Sequence, residues 1–452
     1  MIISSITIIT NQQLTKMKTF KCMLACAALA MLASCNEEPG NSSNTGDGGQ
    51  KLPKDAIVWS ADTTVTLTDH FIVPEGKSLY IYEGARIVAS NAAVKPEIVV
   101  LGNMYVLGTE EKPVTFTVEA SSQSDRFSRN WGGIICGYDC QEVVMLHAIV
   151  EYGGALTTEN SASFQHQLFK TETGEGVPAF HFCNPNGKFV IMNCTFRNNA
   201  EDQIYITGGR SIVANNRFIC NGYDGGEAIN YKSECLADIC YNLIYDANTN
   251  GFKLSNSGFT NIQSDLYVYN NTIVNSGWRR PGVKGGSIWL EESIAVKLYN
   301  NLVYDCRWGL KSDTEEPYDA INSVITPNYY FASTQVGVNQ MMPDDLEGIL
   351  HGDNDINSTF AGEKDPMFVR FEQQSNIDIN CGGNNENAPV AYNNDWDFSL
   401  AAGSPALSGG KTDFNRHYAS ALTFDGLANG VYETSSFVSP APSVWFGAYG
   451  MK

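Results

Sequence analysis

The densest positive cluster in an otherwise acidic chain is Arg279-Arg280-Pro281-Gly282-Val283-Lys284, and Trp289 follows it closely. Two further cations, Lys253 and Lys311, flank that tryptophan in the sequence. Fixed cations around an indole suit a sugar that carries a carboxylate: guanidinium and ammonium groups give charge-assisted hydrogen bonds, and the ring stacks on the sugar. Tyr205, Arg280, Lys284, Glu291 and Asp313 would make further contacts with such a substrate. For this to be one site, residues spread from Tyr205 to Asp313 must be brought onto a single surface.

A repeated phrase supplies the means. It reads Ile191-Met192-Asn193-Cys194-Thr195-Phe196, Val213-Ala214-Asn215-Asn216-Arg217-Phe218 and Ile239-Cys240-Tyr241-Asn242-Leu243-Ile244, then Val268-Tyr269-Asn270-Asn271-Thr272-Ile273 and Leu298-Tyr299-Asn300-Asn301-Leu302-Val303. Its fourth position falls at Cys194, Asn216, Asn242, Asn271 and Asn301, at spacings of 22, 26, 29 and 30 residues. A period in that range marks a stacked array whose units bury their apolar faces on one another. Leu146-His147-Ala148-Ile149-Val150 fits the same phrase, so the array begins before residue 100.

Between the copies lie short alternating segments: Ile204-Tyr205-Ile206, Ile229-Asn230-Tyr231, Phe252-Lys253-Leu254, Ile288-Trp289-Leu290 and Leu310-Lys311-Ser312. Period-two alternation bounded by Gly, Asn and Ser signals strands, so each coil holds at least two short strands. Ile204, Ile229, Phe252, Ile288 and Leu310 then point inward. Tyr205, Asn230, Lys253, Trp289 and Lys311 form an outward column, and Thr207, Lys232, Ser255, Glu291 and Asp313 a second one. Coils stack about 4.8 Å apart, which makes Lys253, Trp289 and Lys311 neighbours on one exposed face.

Short stacked strands without helical crossovers resemble the right-handed parallel β-helix of the pectate-lyase-like superfamily. The resemblance spans roughly Val58 to Tyr449, and it implies that Asn216, Asn242, Asn271 and Asn301 form an internal Asn ladder. The expected fold is all-β, a right-handed parallel β-helix solenoid with an irregular C-terminal cap. Arg279 to Lys284 resembles the Arg-x-Pro-x-x-Arg motif of pectate lyases, with Lys284 in the last position. That likeness implies Arg279 as the base of a β-elimination, with Lys253 or Lys311 neutralising the substrate carboxylate. The family's Trp-Ile-Asp-His phrase is absent from the chain. Asn248-Thr249-Asn250-Gly251 resembles the Asn-Thr-Asp-Gly motif of polygalacturonases, but with Asn250 at the acid's position and no Gly-His-Gly or Asp-Asp partner. Asp246 with Asp305 is a conceivable unrelated carboxylate pair. No cofactor is required; calcium on Asp353, Asp355 and Asp365 is an open option, since hard oxygen ligands suit it.

The chain's beginning reads as a targeting segment over 1–34, with the true start at Met17: Lys18 and Lys21, an apolar run from Cys22 to Leu32, then Leu32-Ala33-Ser34-Cys35. This tetrapeptide resembles the bacterial lipobox and implies lipidation at Cys35. Asn36-Glu37-Glu38 and a Gly/Ser-rich tether resemble Bacteroidetes surface lipoproteins, which implies an outer-membrane lipoprotein displayed on the cell surface. The expected organisation is a tether over 35–54, the β-helix over 55–345, and C-terminal coils and cap over 346–452. Thr157 to Gly176 reads as a loop inserted into one coil, and Pro317 to Gly352 as an irregular excursion. The phrases Asp365-Pro366-Met367-Phe368-Val369 and Trp396 to Leu407 resemble the closing coils of secreted β-helix proteins.

A net charge of −20 argues against nucleic-acid binding. Nine of the twelve cysteines follow Cys35, none in paired metal-ligand spacing. They read as buried thiols, with one disulfide between Cys136 and Cys140 left open. The expected partner is polysaccharide, engaged by a monomer anchored to the outer membrane. Three readings follow: a protein that binds or helps process an acidic glycan, a uronan lyase, or an adhesive surface solenoid.

Overall fold

The computed structural model describes residues 45–46, 50–168, 172–223, 225–282, 285–373 and 391–452. Cys35, Lys284 and Cys381, together with the targeting segment, lie outside the described residues.

The chain winds through three sheets in strict rotation, so that each strand pairs in parallel with the one a full coil later. The first sheet has nine strands, from Ile57–Trp59 to Ala295–Tyr299; the second has eleven, from Thr64–Leu67 to Ile356–Asn357; the third has nine, from Phe71–Val73 to Leu310–Ser312. This is a right-handed parallel β-helix with three strands per coil. The phrase found in the sequence is the turn between the first and second sheets, and the alternating segment is the third sheet. One strand per coil therefore lay unseen on the far side of the repeated turn.

The turn has a simple chemistry. Its third position adopts the left-handed conformation in six successive coils, at His147, Asn193, Asn215, Tyr241, Asn270 and Asn300, with φ between 47° and 59°. Asn is the side chain that best tolerates this region after glycine. Its fourth position turns inward and builds the ladder. Asn216, Asn242, Asn271 and Asn301 each pass an Nδ2–H to the Oδ1 of the next rung at 2.9–3.0 Å. Each also donates to a carbonyl of the preceding coil at 2.9–3.0 Å. The ladder is longer than the sequence phrase suggests. Ala148 N donates to Cys194 Sγ at 3.4 Å and Cys194 N to Asn216 Oδ1 at 2.9 Å. At the other end Asn301 donates to Asn328, whose N–H reaches Asp355 Oδ1 at 2.8 Å. Every Asn rung is buried, so each amide satisfies backbone groups that would otherwise be stranded.

The helix Gln335–Met341 brings Met341 into the core with Tyr330 and Ala332. The described residues from Phe368 onward lie along two of the three sheets. Phe398, Leu400 and Phe446 pack on Tyr245, Val274 and Leu302 of the second sheet. Tyr418, Phe424 and Phe437 pack on Tyr105, Val190 and Ile212 of the first. Asn300 Oδ1 accepts from Lys411 N at 2.7 Å, Asp238 Oδ2 from Tyr418 N at 2.8 Å, and Glu142 Oε1 from Asp425 N at 2.8 Å. The first coils of the third sheet are covered by the inserted loop, whose neck is closed by Thr157 N to Glu175 O at 2.8 Å. There Ala162, Leu168 and Val177 bury Val99 and Ile135. Beyond Tyr205, which packs against that cluster, the third sheet has neither cover.

The eight described cysteines, Cys136 and Cys140 among them, are free and buried. Among the described residues no helix is long and apolar enough to cross a membrane.

Candidate functional site

The uncovered stretch of the third sheet carries the groups singled out in the sequence. Ile204, Ile229, Phe252, Ile288 and Leu310 are all buried in the core. The ladder of pairs Tyr205 with Asn230, Asn230 with Lys253, Lys253 with Trp289 and Trp289 with Lys311 is the outward column. Ser255 pairs with Glu291 in the second column.

Glu291 is the hub of this surface. Its Oε1 lies 3.1 Å from Lys253 Nζ and 3.7 Å from Lys232 Nζ, and its Oε2 accepts from Trp289 Nε1 at 2.8 Å. Burial works to raise the Glu291 carboxyl, but Lys253 and Lys232 outweigh it and hold it below the usual range. Burial works to lower Lys253 in turn, and Glu227 and Glu291 overcome it, so this ammonium is held above its usual range. Lys232 is pushed down by burial and by the charge of Lys253. Lys311, 8% exposed, sits with Nζ 4.1 Å from the centre of the Trp308 ring and 5.6 Å from that of Trp289. Burial, then the charge of Arg307, lowers it. Asp313 Oδ1 accepts from Glu315 N at 2.9 Å and from Glu316 N at 3.0 Å, so it shapes the turn that borders the face.

A further column stands beside these, at the corner where the chain enters the third sheet. It occupies the position two residues before each inward side chain: Asp202, Glu227, Asn250, Gly286 and Trp308. Asp202 Oδ1 accepts from Glu227 N at 2.7 Å and Oδ2 from Asn230 Nδ2 at 2.9 Å, while Glu227 Oε1 accepts from Asn250 Nδ2 at 3.3 Å. Burial and the neighbouring Glu227 charge push the Asp202 carboxyl well above the ordinary range. None of Asp202, Glu227 and Trp308 stands out in the sequence. The signal that finds them is the constant offset of two residues from Ile204, Ile229 and Leu310.

Columns and corner enclose two clefts that share Gly226, Glu227 and Lys253. One, of about 220 Å³, is lined by Arg280, Trp289, Glu291 and Asp313, and the other, of about 380 Å³, by Asp202, Tyr205, Asn230 and Lys232. Gly226 holds φ at +111°, a conformation that lets the backbone pass between them without a side chain. Together they make a groove along the sheet. A separate cleft on the second sheet gathers Arg126, Arg197 and Arg217, but Arg197 is paired with Glu151 at 2.6 Å and Arg217 bonds to Tyr392.

Arg279 is not in the groove, which corrects its reading as a base. It is 1% exposed; its Nε lies 2.9 Å from Asp246 Oδ1, and its Nη groups donate to the carbonyls of Gly222, Asn221 and Asp246 at 2.6–2.9 Å. A guanidinium so committed ties three corners of the solenoid together and reaches no polymer. Asp246 and Asp305 likewise form no acid–base pair: Asp246 serves Arg279, and Asp305 accepts from Ser333 N and Oγ at 2.7 and 2.6 Å. Nor are the three proposed calcium acids gathered. Asp355 ends the Asn ladder and Asp365 accepts from Met367 N at 2.7 Å. Among the described residues no group of three or more potential ligands could hold a metal ion.

Comparison with known proteins bears on the fold. Residues 51–168 match the family model of the pectate-lyase like beta helix domain, a stretch that ends before Tyr205. No curated protein matches the chain. A solved mutant of a PL6-family alginate lyase is similar at 12% identity and a TM-score of 0.24, over 63% of this chain and 45% of that one. The chain thus spans less than half the length of that structure. What is shown is a right-handed parallel β-helix whose N-terminal coils match the pectate-lyase like beta helix domain.

Proposed function

We propose that this chain is a lipid-anchored, surface-displayed β-helix that binds, or helps process, a polysaccharide bearing carboxylates along the open stretch of its third sheet. The observation that carries the reading is the register Lys253–Trp289–Lys311, an aromatic platform with a cation on each side, on the stretch left uncovered by the inserted loop and the C-terminal segment. A continuous groove suits a polymer better than a small metabolite, and Arg280 at its wall adds a cation to the cleft that Lys253 and Trp289 line. Anchoring at Cys35 rests on Leu32-Ala33-Ser34-Cys35 and on the acidic residues and tether behind it.

The burial of Arg279 removes the residue on which a β-elimination in the pectate-lyase manner depended, so binding is the leading reading. Affinity electrophoresis of the purified protein through gels containing polygalacturonate or alginate tests it, with absorbance of unsaturated products followed in parallel, with and without calcium. Retardation without a rise in absorbance is the expected result. Rising absorbance would replace binding by lyase chemistry, and free migration through every acidic polymer would leave the adhesive reading.

A further inference from the structure

The two clefts of the groove differ in what they demand of a ligand. Each is lined by three carboxylates and two cations. The Arg280–Trp289 cleft adds the indole, with Lys311 beside it, while the other adds the amide of Asn230 and the phenol of Tyr205. Glu201, Asp202 and Glu227 line it, although Glu201 is already paired with Arg129 at 2.6 Å. Lys232 and Lys253 also line it, but both are turned to Glu291. Asn230, 4% exposed, stands between the corner acids and the sheet face. Its Nδ2 donates to Asp202, and its buried Oδ1 has no hydrogen-bond partner among the described residues. Leaving a buried amide oxygen without a donor is costly, so a ligand group that donates to it is favoured. Tyr205, half-buried at the end of the column, offers a ring face, with Lys232 Nζ 5.8 Å from its centre.

We propose, building on the polysaccharide-binding reading above, that the Tyr205–Asn230 cleft is a subsite for an uncharged sugar. Its hydroxyls donate to Asn230 Oδ1 and Glu227 while the ring packs on Tyr205. The groove therefore selects a heteropolymer, in which uncharged sugars accompany carboxylate-bearing ones, over a pure uronan. An anionic sugar is disfavoured in this cleft because it would bring a further negative charge to Glu201 and Glu227. Asp202 adds no charge there: burial and the neighbouring Glu227 keep its carboxyl protonated well above the usual range, and it is hydrogen-bonded to Glu227 and Asn230. Along the sheet, Tyr205 and Lys311 are four coils apart, a span of about 19 Å at the usual strand spacing, which leaves room for several sugars between them.

The test compares retardation of the intact protein in gels carrying three classes of polymer: mixed (glucuronoxylan and gum arabic), purely acidic (polygalacturonate and alginate) and purely neutral (xyloglucan and galactan). The proposal expects a mixed polymer to retard the protein at tenfold lower concentration than any acidic one. It further expects Asn230→Leu, and independently Tyr205→Ala, to erase that advantage by weakening retardation by the mixed polymers more than retardation by the acidic ones. Circular dichroism melts of both variants establish that the fold is kept. An acidic polymer that binds as well as every mixed one, or an advantage that survives both variants, overturns this subsite and leaves the binding reading standing. Free migration through all six polymers overturns both.

Discussion

Lys311 holds its ammonium 4.1 Å from the centre of the Trp308 ring, and these two residues come from different columns of the solenoid: one from the sheet face, the other from its corner. They are three residues apart on one coil, and the bend at the corner brings the ammonium over the ring. A desolvated cation–π contact contributes about 2 kcal/mol, but burial of the ammonium opposes it. Lys311→Met keeps the apolar stem and removes the charge. Its melting temperature is expected to stay within about 2 °C of wild type. Retardation by polygalacturonate is expected to weaken about tenfold, which corresponds to about 1.4 kcal/mol. Unchanged retardation would remove Lys311 from the binding surface.

Asn271 lies in the middle of the ladder, with three bonds donated by Nδ2 and two accepted by Oδ1. Asn271→Ala strands the N–H and side-chain amide of Asn242 and the carbonyl of Ile239. A loss on the order of 3 kcal/mol in denaturant unfolding is expected. The same change at Asn354, which is exposed, should fall within about 0.5 kcal/mol.

Arg279→Met tests the correction to its role. With the guanidinium gone, the buried Asp246 carboxylate loses its partner, and a destabilisation of about 3–5 kcal/mol is expected. A stable variant that had lost only activity toward uronans would restore Arg279 to a catalytic role.

Burial raises Asp305 to about 6, against 3.8 for the free side chain. The folded state then holds its proton more tightly than the unfolded one, so stability is greatest below the unfolded value and falls as pH rises toward the folded value. The loss is about 3 kcal/mol between pH 4 and pH 6 and is complete above that. Asp355, also raised to about 6 by burial, acts in the same direction. Asp305→Asn keeps an acceptor for Ser333 N and cannot ionise. Its melting temperature should fall less than that of wild type over the same pH interval; parallel profiles would refute the assignment.

Much of this architecture was legible because it is periodic. The Asn phrase announced stacking, and period-two alternation sorted Ile288 from Trp289 before any coordinates. What stayed hidden lies where those periods stop. The third strand of each coil lies beyond the turn that carries the phrase. Asp202, Glu227 and Trp308 sit at a corner, where the chain bends and alternation no longer says which way a side chain points. Arg279 misled for a related reason: a local resemblance names residue types and cannot tell an exposed loop from one folded back on Asp246. Asp355 looked like a metal ligand because an acidic run is ambiguous, and only the coil register reveals it as the last rung. Cys194 took a rung as well, a thiol in place of an amide.

The central claim is that the outward column of the third sheet holds glycan, and Trp289 stands in it between Lys253 and Lys311. Isothermal titration of wild type and Trp289→Ala with an oligouronate, on samples of matched melting temperature, tests this most directly. Loss of an aromatic platform should weaken binding at least tenfold, a penalty of about 1.4 kcal/mol or more. An affinity for Trp289→Ala equal to that of wild type would contradict the account.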